Sequence, residues 1–205
     1  TSSGTKTIGH GLSKAPEFYM IKNPDKAGRW FVWHTGMSGA SYMLEINTAS
    51  AESDKSGNGS MSLPTNTVFS TNWTEASNEY PYNHIAYVWH SVEGYSKFGK
   101  YEGNGNADGP FIYTGFRPRM LFIKNTEQSA NWEVHDTARS TFNLVDDYLF
   151  WDSNAAENSA SGTFAVDILS NGFKIRSTET NLNTSGRIFI YGAWGDVPFK
   201  YNNTF

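Results

Sequence analysis

Apolar and polar residues alternate with a period of two along short segments of the chain. The segments are separated by clusters of Gly, Pro, Asn and Ser, and the clearest of them are "EFYMIKN", "RWFVWHT", "HIAYVWHSV", "RMLFIKN", "NWEVHDT" and "RIFIYGAW". This spacing is typical of β-strands, because successive side chains of a strand point to opposite faces. Helical periodicity is absent, although "TARSTFNLVDDY" leaves room for one short turn. The pattern predicts an all-β protein.

The two halves of the sequence resemble each other in order, spacing and residue type. "KAPEFYMIKN" (Lys14–Asn23) overlays "GFRPRMLFIKN" (Gly115–Asn125) at an offset of 118 − 16 = 102. Further along, "IAYVWHSV" overlays "IYGAWGDV" at an offset of 194 − 89 = 105. We therefore predict an internal duplication, with a first β repeat at 1–98 and a second at 99–205. Each copy has the size of a small jelly-roll or lectin-like β-sandwich. One sandwich built from both halves is the competing arrangement.

The overlay also separates core positions from surface positions. Trp30 pairs with Trp132 and Trp89 pairs with Trp194, so these four rings are predicted to lie in the core. Trp151 falls opposite an isoleucine and is predicted to be packed. On the alternate face, Phe31 and Trp33 overlay Glu133 and His135. Since Glu and His side chains are mostly exposed, this face is predicted to meet solvent.

Composition narrows the classes of function. The 205 residues contain 16% aromatic residues, carry a formal net charge of −4 and include no run of Lys or Arg. A nucleic-acid partner is therefore disfavoured. The apolar runs are too short to cross a bilayer, so membrane insertion is not expected. With no cysteine, the chain has no disulfide and no Cys-ligated zinc. Because it begins at Thr1, we expect it to be a piece of a longer protein.

The segment "GNGNADGP" resembles the first half of a calcium-binding loop. Asn104, Asn106 and Asp108 have the required spacing, but the twelfth position, which needs a carboxylate, is Gly115. Asn-Gly and Asp-Gly pairs are also the commonest tight-turn dipeptides. Plain turns are therefore favoured, and these three residues remain the candidate metal ligands.

Catalytic patterns are missing from the sequence. We find no nucleophile elbow, phosphate-binding glycine loop or dinucleotide fingerprint. Asp146 and Asp147 are adjacent, and neighbouring strand residues point to opposite faces, so they do not form a glycosidase pair. The repeat overlay alone would bring His34 close to His135 and Asp136. No enzyme is required by these residues, and no cofactor is expected.

Several quoted elements resemble a domain of tailed bacteriophages that occurs in tail-fibre and other virion structural proteins. They are "GHGLSKAPEFYMIKN", "GYSKFGKYEGNGNADGPFIYTGFRP", "NWEVHDTAR", "LSNGFKIRS" and "PFKY". The resemblance covers nearly the whole chain. It implies a virion-associated, homotrimeric fibre or spike component with a β-rich head, and it supplies no catalytic residues.

Three functions follow as hypotheses. The first is a receptor-binding adhesin that engages host-surface glycan, with sugar faces stacked on the aromatic residues of polar loops. Its candidate ligand-binding residues are Trp33, Trp73, Tyr80 and Tyr82. The second is a purely structural or trimerisation domain. The third is a polysaccharide depolymerase, for which the sequence offers no carboxylate or nucleophile–base pair.

Overall fold

The structure is a computed structural model that describes residues 5–71, 82–157 and 162–196. Within these ranges the chain forms short strands, one 3-10 turn (Ser56–Asn58) and one α-helix of a single turn, α1 (Thr180–Asn183). The strands are β1 (Lys6–Gly9), β2 (Phe18–Lys22), β3 (Trp30–His34), β4 (Tyr42–Glu45), β5 (Ser53–Asp54), β6 (Val68–Thr71), β7 (Ile85–Trp89), β8 (Ser96–Glu102), β9 (Phe111–Tyr113), β10 (Pro118–Asn125), β11 (Glu133–Asp136), β12 (Tyr148–Phe150), β13 (Val166–Leu169), β14 (Gly172–Ile175) and β15 (Ile188–Gly195). The all-β prediction is confirmed.

Two five-stranded antiparallel sheets form the centre of the molecule. The first sheet has the strand order β5-β4-β3-β2-β7, and the second has the order β12-β11-β10-β15-β8. At the offsets of the sequence overlay, β4-β3-β2-β7 corresponds to β12-β11-β10-β15, so both halves of the chain pair their strands in the same order. The predicted boundary between residues 98 and 99 falls inside β8, which pairs with β15 of the second sheet.

The two central sheets pack against each other through one face of each. The Phe18 ring of the first sheet lies 5.1 Å from the Phe122 ring of the second, measured between centroids. Trp132 Nε1 donates a hydrogen bond of 3.0 Å to the Glu45 carbonyl, so an indole also ties the second sheet to the first. A second cross-link comes from Lys124, whose ammonium donates to the carbonyls of Ala49 (3.2 Å) and Ala130 (2.8 Å). Burial lowers the pKa of Lys124 to about 8.

A further layer covers the outer face of each central sheet. The β1-β6 pair lies over the first sheet, where the Phe69 and Tyr19 rings are 4.7 Å apart. The β13-β14-β9 sheet and α1 lie over the second, where the Phe173 and Tyr191 rings are 5.2 Å apart. Tyr101 Oη donates a hydrogen bond of 2.7 Å to the Leu182 carbonyl of α1. The described residues therefore form four antiparallel sheets, and each of the two outer sheets contacts a central sheet through apolar side chains.

The outer layers overturn one prediction from the sequence. Phe31 is completely buried and Trp33 is only 3% exposed, although both were expected to face solvent. Glu133 and His135 are also completely buried, at the matching positions of the second sheet. The alternation of the strands was correct, but both faces of each central sheet are covered. Polar residues on one face of a strand therefore do not show that this face meets solvent.

The predicted core tryptophans divide into two groups. Trp132 is completely buried, as expected. Trp30, Trp89 and Trp194 are only half-buried, and so is Trp151, although the Trp151 ring packs 5.1 Å from the Phe122 ring as predicted. The four half-buried rings lie where the two central sheets leave a gap between them.

Gly192 is expected to be intolerant of any side chain. It lies in the middle of β15, and a Cβ atom added there would come within 2.4 Å of Phe122 Cε1 and 2.9 Å of Phe98 Cε1. Overpacking of a core costs about 1–3 kcal/mol. We expect Gly192→Ala to lower the free energy of unfolding by that amount, measured by urea titration. Gly28→Ala is the control, because an added Cβ there meets no atom within 4 Å; an equal loss in both variants would contradict this packing.

Candidate ligand-binding site

A cleft lined by aromatic residues lies between the two central sheets. One part has a volume of about 340 Å³ and is lined by Phe18, Met20, Trp89, Met120, Trp151 and Trp194. The adjoining part, of about 290 Å³, is lined by Met20, Trp30, Ile46, Asn47 and Trp151. Because Met20 and Trp151 line both parts, we treat them as one site, called here the aromatic trough. Its size suits a small ligand or a few residues of a larger one.

Strand register places these side chains on facing walls. In the first sheet, Phe18 pairs with Trp89 across β2 and β7, and Met20 lies two residues further along the same face. In the second sheet, Met120 pairs with Trp194 across β10 and β15. Side chains directly opposite each other in an antiparallel pair point to the same face. The period-two pattern of these strands therefore directs all five apolar side chains into the gap between the sheets.

The rings of the first wall form a row. Trp30 and Tyr87 have centroids 6.2 Å apart with an interplanar angle of 23°, and Tyr87 and Trp89 are 6.3 Å apart at 17°. Trp194 of the second wall contacts the end of this row. Its ring is nearly perpendicular to that of Trp89, and the two ring centroids are 6.5 Å apart. Tyr87 is 42% exposed. The first wall therefore offers nearly parallel aromatic faces, of which Tyr87 is accessible from outside.

The aromatic trough is almost entirely apolar. Its lining side chains are those of Phe, Met, Ile and Trp together with one amide, Asn47, so the indole N–H groups and Asn47 are its polar groups. Asn47 Oδ1 accepts a hydrogen bond of 3.0 Å from the Trp30 amide, which anchors this side chain beside the trough. An Asn side chain also carries two N–H donors. The site is therefore suited to a ligand with apolar faces and few polar contacts.

The four ligand-binding residues predicted from the sequence do not form one site. Trp33 stacks on Tyr19 under the β1-β6 layer, with ring centroids 5.4 Å apart, so a ligand from solvent has no access to it. Tyr82 is half-buried, and the Lys26 ammonium lies 4.1 Å from its ring centroid. Trp73 and Tyr80 lie outside the described residues. The rings of the aromatic trough were assigned to the core instead, and repeated Trp residues at matching strand positions were the signal that pointed to them.

The candidate metal ligands Asn104, Asn106 and Asp108 are engaged in turns. Asn104 Oδ1 accepts a hydrogen bond of 2.9 Å from the Asn106 amide, and Asn106 Oδ1 accepts one of 2.8 Å from the Asp108 amide. Asp108 Oδ1 lies 2.7 Å from Lys174 Nζ, and this contact lowers the pKa of the Asp108 carboxyl. These oxygens are therefore engaged in hydrogen bonds within the loop and in an ion pair with Lys174. In the part of the chain that the structure describes, no group of three His, Cys, Asp or Glu side chains is arranged to hold a metal ion.

The buried residues His34, Glu133 and His135 are not among the side chains that line the aromatic trough. His34 Nδ1 accepts a hydrogen bond of 2.9 Å from the Gly36 amide, and His34 Nε2 lies 3.1 Å from the Tyr191 carbonyl oxygen. His135 Nε2 lies 3.4 Å from Glu133 Oε2, and burial raises the pKa of the Glu133 carboxyl. The Glu133–His135 pair faces the outer layer, whereas His34 lies between the central sheets, so the overlay did not bring His34 and His135 together. Neither group reaches solvent.

Comparison with known proteins gives the family. Residues 1–198 match a family described as a domain of unknown function (DUF7483). The chain belongs to this family. No curated protein and no solved structure matches it. Among the described residues of this DUF7483 domain, no helix is long and apolar enough to span a membrane.

Proposed function

We propose that this DUF7483 domain is a non-enzymatic receptor-binding domain of a bacteriophage tail fibre or related virion appendage. It attaches to glycan on the host cell surface, and the aromatic trough holds the sugar. The sequence resemblance to tail-fibre domains supports the virion location. The observation that carries the binding role is the trough itself, in which four half-buried tryptophans converge from two sheets.

Half-buried tryptophans at an open cleft are costly unless a ligand covers them. Aromatic rings bury about 150–250 Å² each when enclosed, and exposed apolar surface of this kind is typical of binding sites. The C–H faces of a pyranose ring stack on flat aromatic faces, and Trp30, Tyr87 and Trp89 present such faces at nearly parallel angles. The trough therefore provides stacking surfaces on one wall and an enclosing ring, Trp151, on the other.

The scarcity of polar groups restricts the class of sugar. Each hydroxyl that enters an apolar cleft without a partner costs about 1–3 kcal/mol. A sugar with apolar substituents buries fewer hydroxyl groups and therefore loses less binding free energy. We propose a 6-deoxy or acetylated residue of a surface polysaccharide as the ligand. Asn47 is the side chain placed to hydrogen-bond a hydroxyl or acetyl oxygen at the edge of the trough.

We also propose that the four-sheet fold is a β-sandwich that arose by duplication. The shared strand order β4-β3-β2-β7 and β12-β11-β10-β15 supports this origin, as does the sequence overlay at offsets of 102 and 105. On this proposal the two copies face each other across the aromatic trough, and the ligand contacts both. Trp89 and Trp194 then occupy matching positions of the two copies.

The proposal is tested by binding of the purified protein to intact candidate host cells and to their extracted surface polysaccharide. We expect saturable binding by the wild type. Trp151→Ala should weaken it at least about tenfold, because truncating a tryptophan at the centre of a binding site costs about 2 kcal/mol or more when it is a hot spot, and about 1.4 kcal/mol is tenfold. Tyr113→Ala is the matched control, because Tyr113 is a 65% exposed ring on β9, away from the trough.

Circular dichroism of each variant separates lost binding from lost folding. Trp73→Ala is measured beside Trp151→Ala, since Trp73 is the loop candidate predicted from the sequence. Loss of binding in Trp73→Ala with unchanged binding in Trp151→Ala would reject the trough as the site. A folded wild type that binds none of the hosts or polysaccharides would overturn the adhesin proposal and favour a purely structural role in the virion.

A further inference from the structure

One edge of the first sheet is open. β7 pairs with β2 on one side, and within residues 5–71, 82–157 and 162–196 no strand pairs with its other side. Ile85 is 45% exposed and Tyr87 is 42% exposed on the face that continues the aromatic trough. An open edge presents unpaired backbone N–H and C=O groups that can accept another strand.

In the second sheet, the position that corresponds to the open side of β7 is occupied by a strand. β15 corresponds to β7 in the sequence overlay, and it pairs with β10 on one side and with β8 on the other. β8 runs antiparallel to β15 from Ser96 opposite Trp194 to Glu102 opposite Ile188. The geometry of the repeat therefore accommodates one more antiparallel strand beside β7.

The composition of β7 differs from that of a protected edge. Natural edge strands carry charged side chains, proline or bulges that prevent pairing with other molecules. β8, which forms the edge of the second sheet, carries Lys97 and Lys100. β7 reads Ile-Ala-Tyr-Val-Trp, without a charge or a proline. The open edge of the first sheet thus lacks the features that keep an edge strand unpaired.

The sequence of β7 is also complementary to itself. When two β7 strands run antiparallel with Tyr87 opposite Tyr87 of the second copy, Ile85 lies opposite the second copy's Trp89, and Ala86 lies opposite the second copy's Val88. Every pair is apolar, and aromatic or β-branched cross-strand pairs stabilise such contacts. No like charges meet, and the arrangement has the two-fold symmetry of a closed dimer.

We propose that β7 pairs with β7 of a second copy of this chain, joining two first sheets into one continuous sheet. The contact covers the exposed parts of Ile85 and Tyr87 and satisfies the open backbone groups of both strands. Tyr87 takes part both in this pairing and in the proposed stacking of a sugar. The failure of one proposal is still distinguishable from the failure of the other, because the pairing is read from molecular mass and the proposed function from ligand binding.

Sedimentation velocity and light scattering over a wide concentration range test the pairing. We expect the wild type to approach twice its chain mass of 22.9 kDa as the concentration rises. Tyr87→Lys places two like charges opposite each other at the centre of the contact, and like charges directly opposite destabilise a cross-strand pair, so the dissociation constant should rise by about a hundredfold or more. Ala86→Lys should also raise the dissociation constant, because it places a charge in the same contact on the opposite face of the sheet. Tyr113→Lys is the control, because Tyr113 also lies on an edge strand and is more exposed than Tyr87.

Four results would overturn the proposal. The first is a wild type that stays at 22.9 kDa at all concentrations. Hydrogen exchange that shows β7 protected in this monomer would then indicate that a segment of its own chain covers the edge. The second is a mass of three chains, which would support the trimer implied by the sequence resemblance. The third is an equal loss of association in Tyr113→Lys and Tyr87→Lys. The fourth is a pair of folded Lys variants, Tyr87→Lys and Ala86→Lys, that associate like the wild type.

Discussion

Trp132→Ala is expected to lower the free energy of unfolding by about 3–5 kcal/mol, the range for removal of a buried tryptophan. Trp132 has no exposed surface, and its ring lies 5.7 Å from Phe122 and 6.4 Å from Trp151. The substitution leaves a cavity between the central sheets. It also removes the Nε1 donor to the Glu45 carbonyl and so breaks a link between the sheets. Urea unfolding followed by far-ultraviolet circular dichroism measures the loss.

Two further variants separate packing from hydrogen bonding. Trp132→Phe keeps most of the ring volume but leaves the Glu45 carbonyl without this donor, so we expect a loss of about 1–3 kcal/mol. Trp30→Ala removes the matching residue of the first half, which is only half-buried at the aromatic trough. Its cost should be clearly smaller than that of Trp132→Ala. Equal costs for the two alanine variants would show that the two halves do not differ in burial as described.

Acidification is expected to destabilise the protein through His34. Burial lowers the pKa of His34 from 6.5 to about 3, and the ring is neutral when its Nδ1 accepts the Gly36 amide. The unfolded chain binds a proton near pH 6.5, whereas the folded protein binds it only near pH 3. The stabilisation is therefore complete above pH 6.5 and is lost as the pH falls toward about 3. The slope approaches about 1.4 kcal/mol per pH unit within that window.

His34→Gln isolates this contribution. A glutamine amide can donate to the Tyr191 carbonyl and accept from the Gly36 amide, but it does not titrate. The free energy of unfolding of the wild type minus that of the variant should be constant above neutral pH and fall by about 2 kcal/mol between pH 6.5 and pH 4.5. A difference that is independent of pH would show that His34 is accessible to protons in the folded protein.

Residue patterns predicted the strands well but could not predict what covers them. "RWFVWHT" contains β3 and "NWEVHDT" contains β11, and both pairs of alternating faces were identified correctly. The prediction that Trp33 is exposed is wrong, because the polar residues Glu133 and His135 at the matching positions do not mark a solvent-facing side of the strand. In the structure, all three side chains lie under an outer layer. A polar residue in a sequence does not distinguish a solvent-facing surface from a buried carboxylate–imidazole pair.

The candidate site was also beyond what strand patterns can indicate. Trp89 and Trp194 were recognised as matching inward-facing residues, and burial was the natural inference. Whether two inward faces meet tightly or leave a cleft depends on the separation and angle of the sheets. That separation is set by all the side chains between the sheets together, including Phe18, Phe98 and Phe122. No single segment of the sequence specifies the separation of the sheets.

The sequence by itself determined the all-β class, the positions of most strands, the direction of their alternating side chains and the correspondence between the two halves. These features depend on local periodicity and on order along the chain, which are visible without tertiary contacts. Only the tertiary structure decided that both faces of each central sheet are covered, that β8 completes the second sheet while β7 is left at an edge, and that four tryptophans open onto a cleft. The reason is physical: burial is a property of the surfaces that meet, and those surfaces come from residues far apart in the chain.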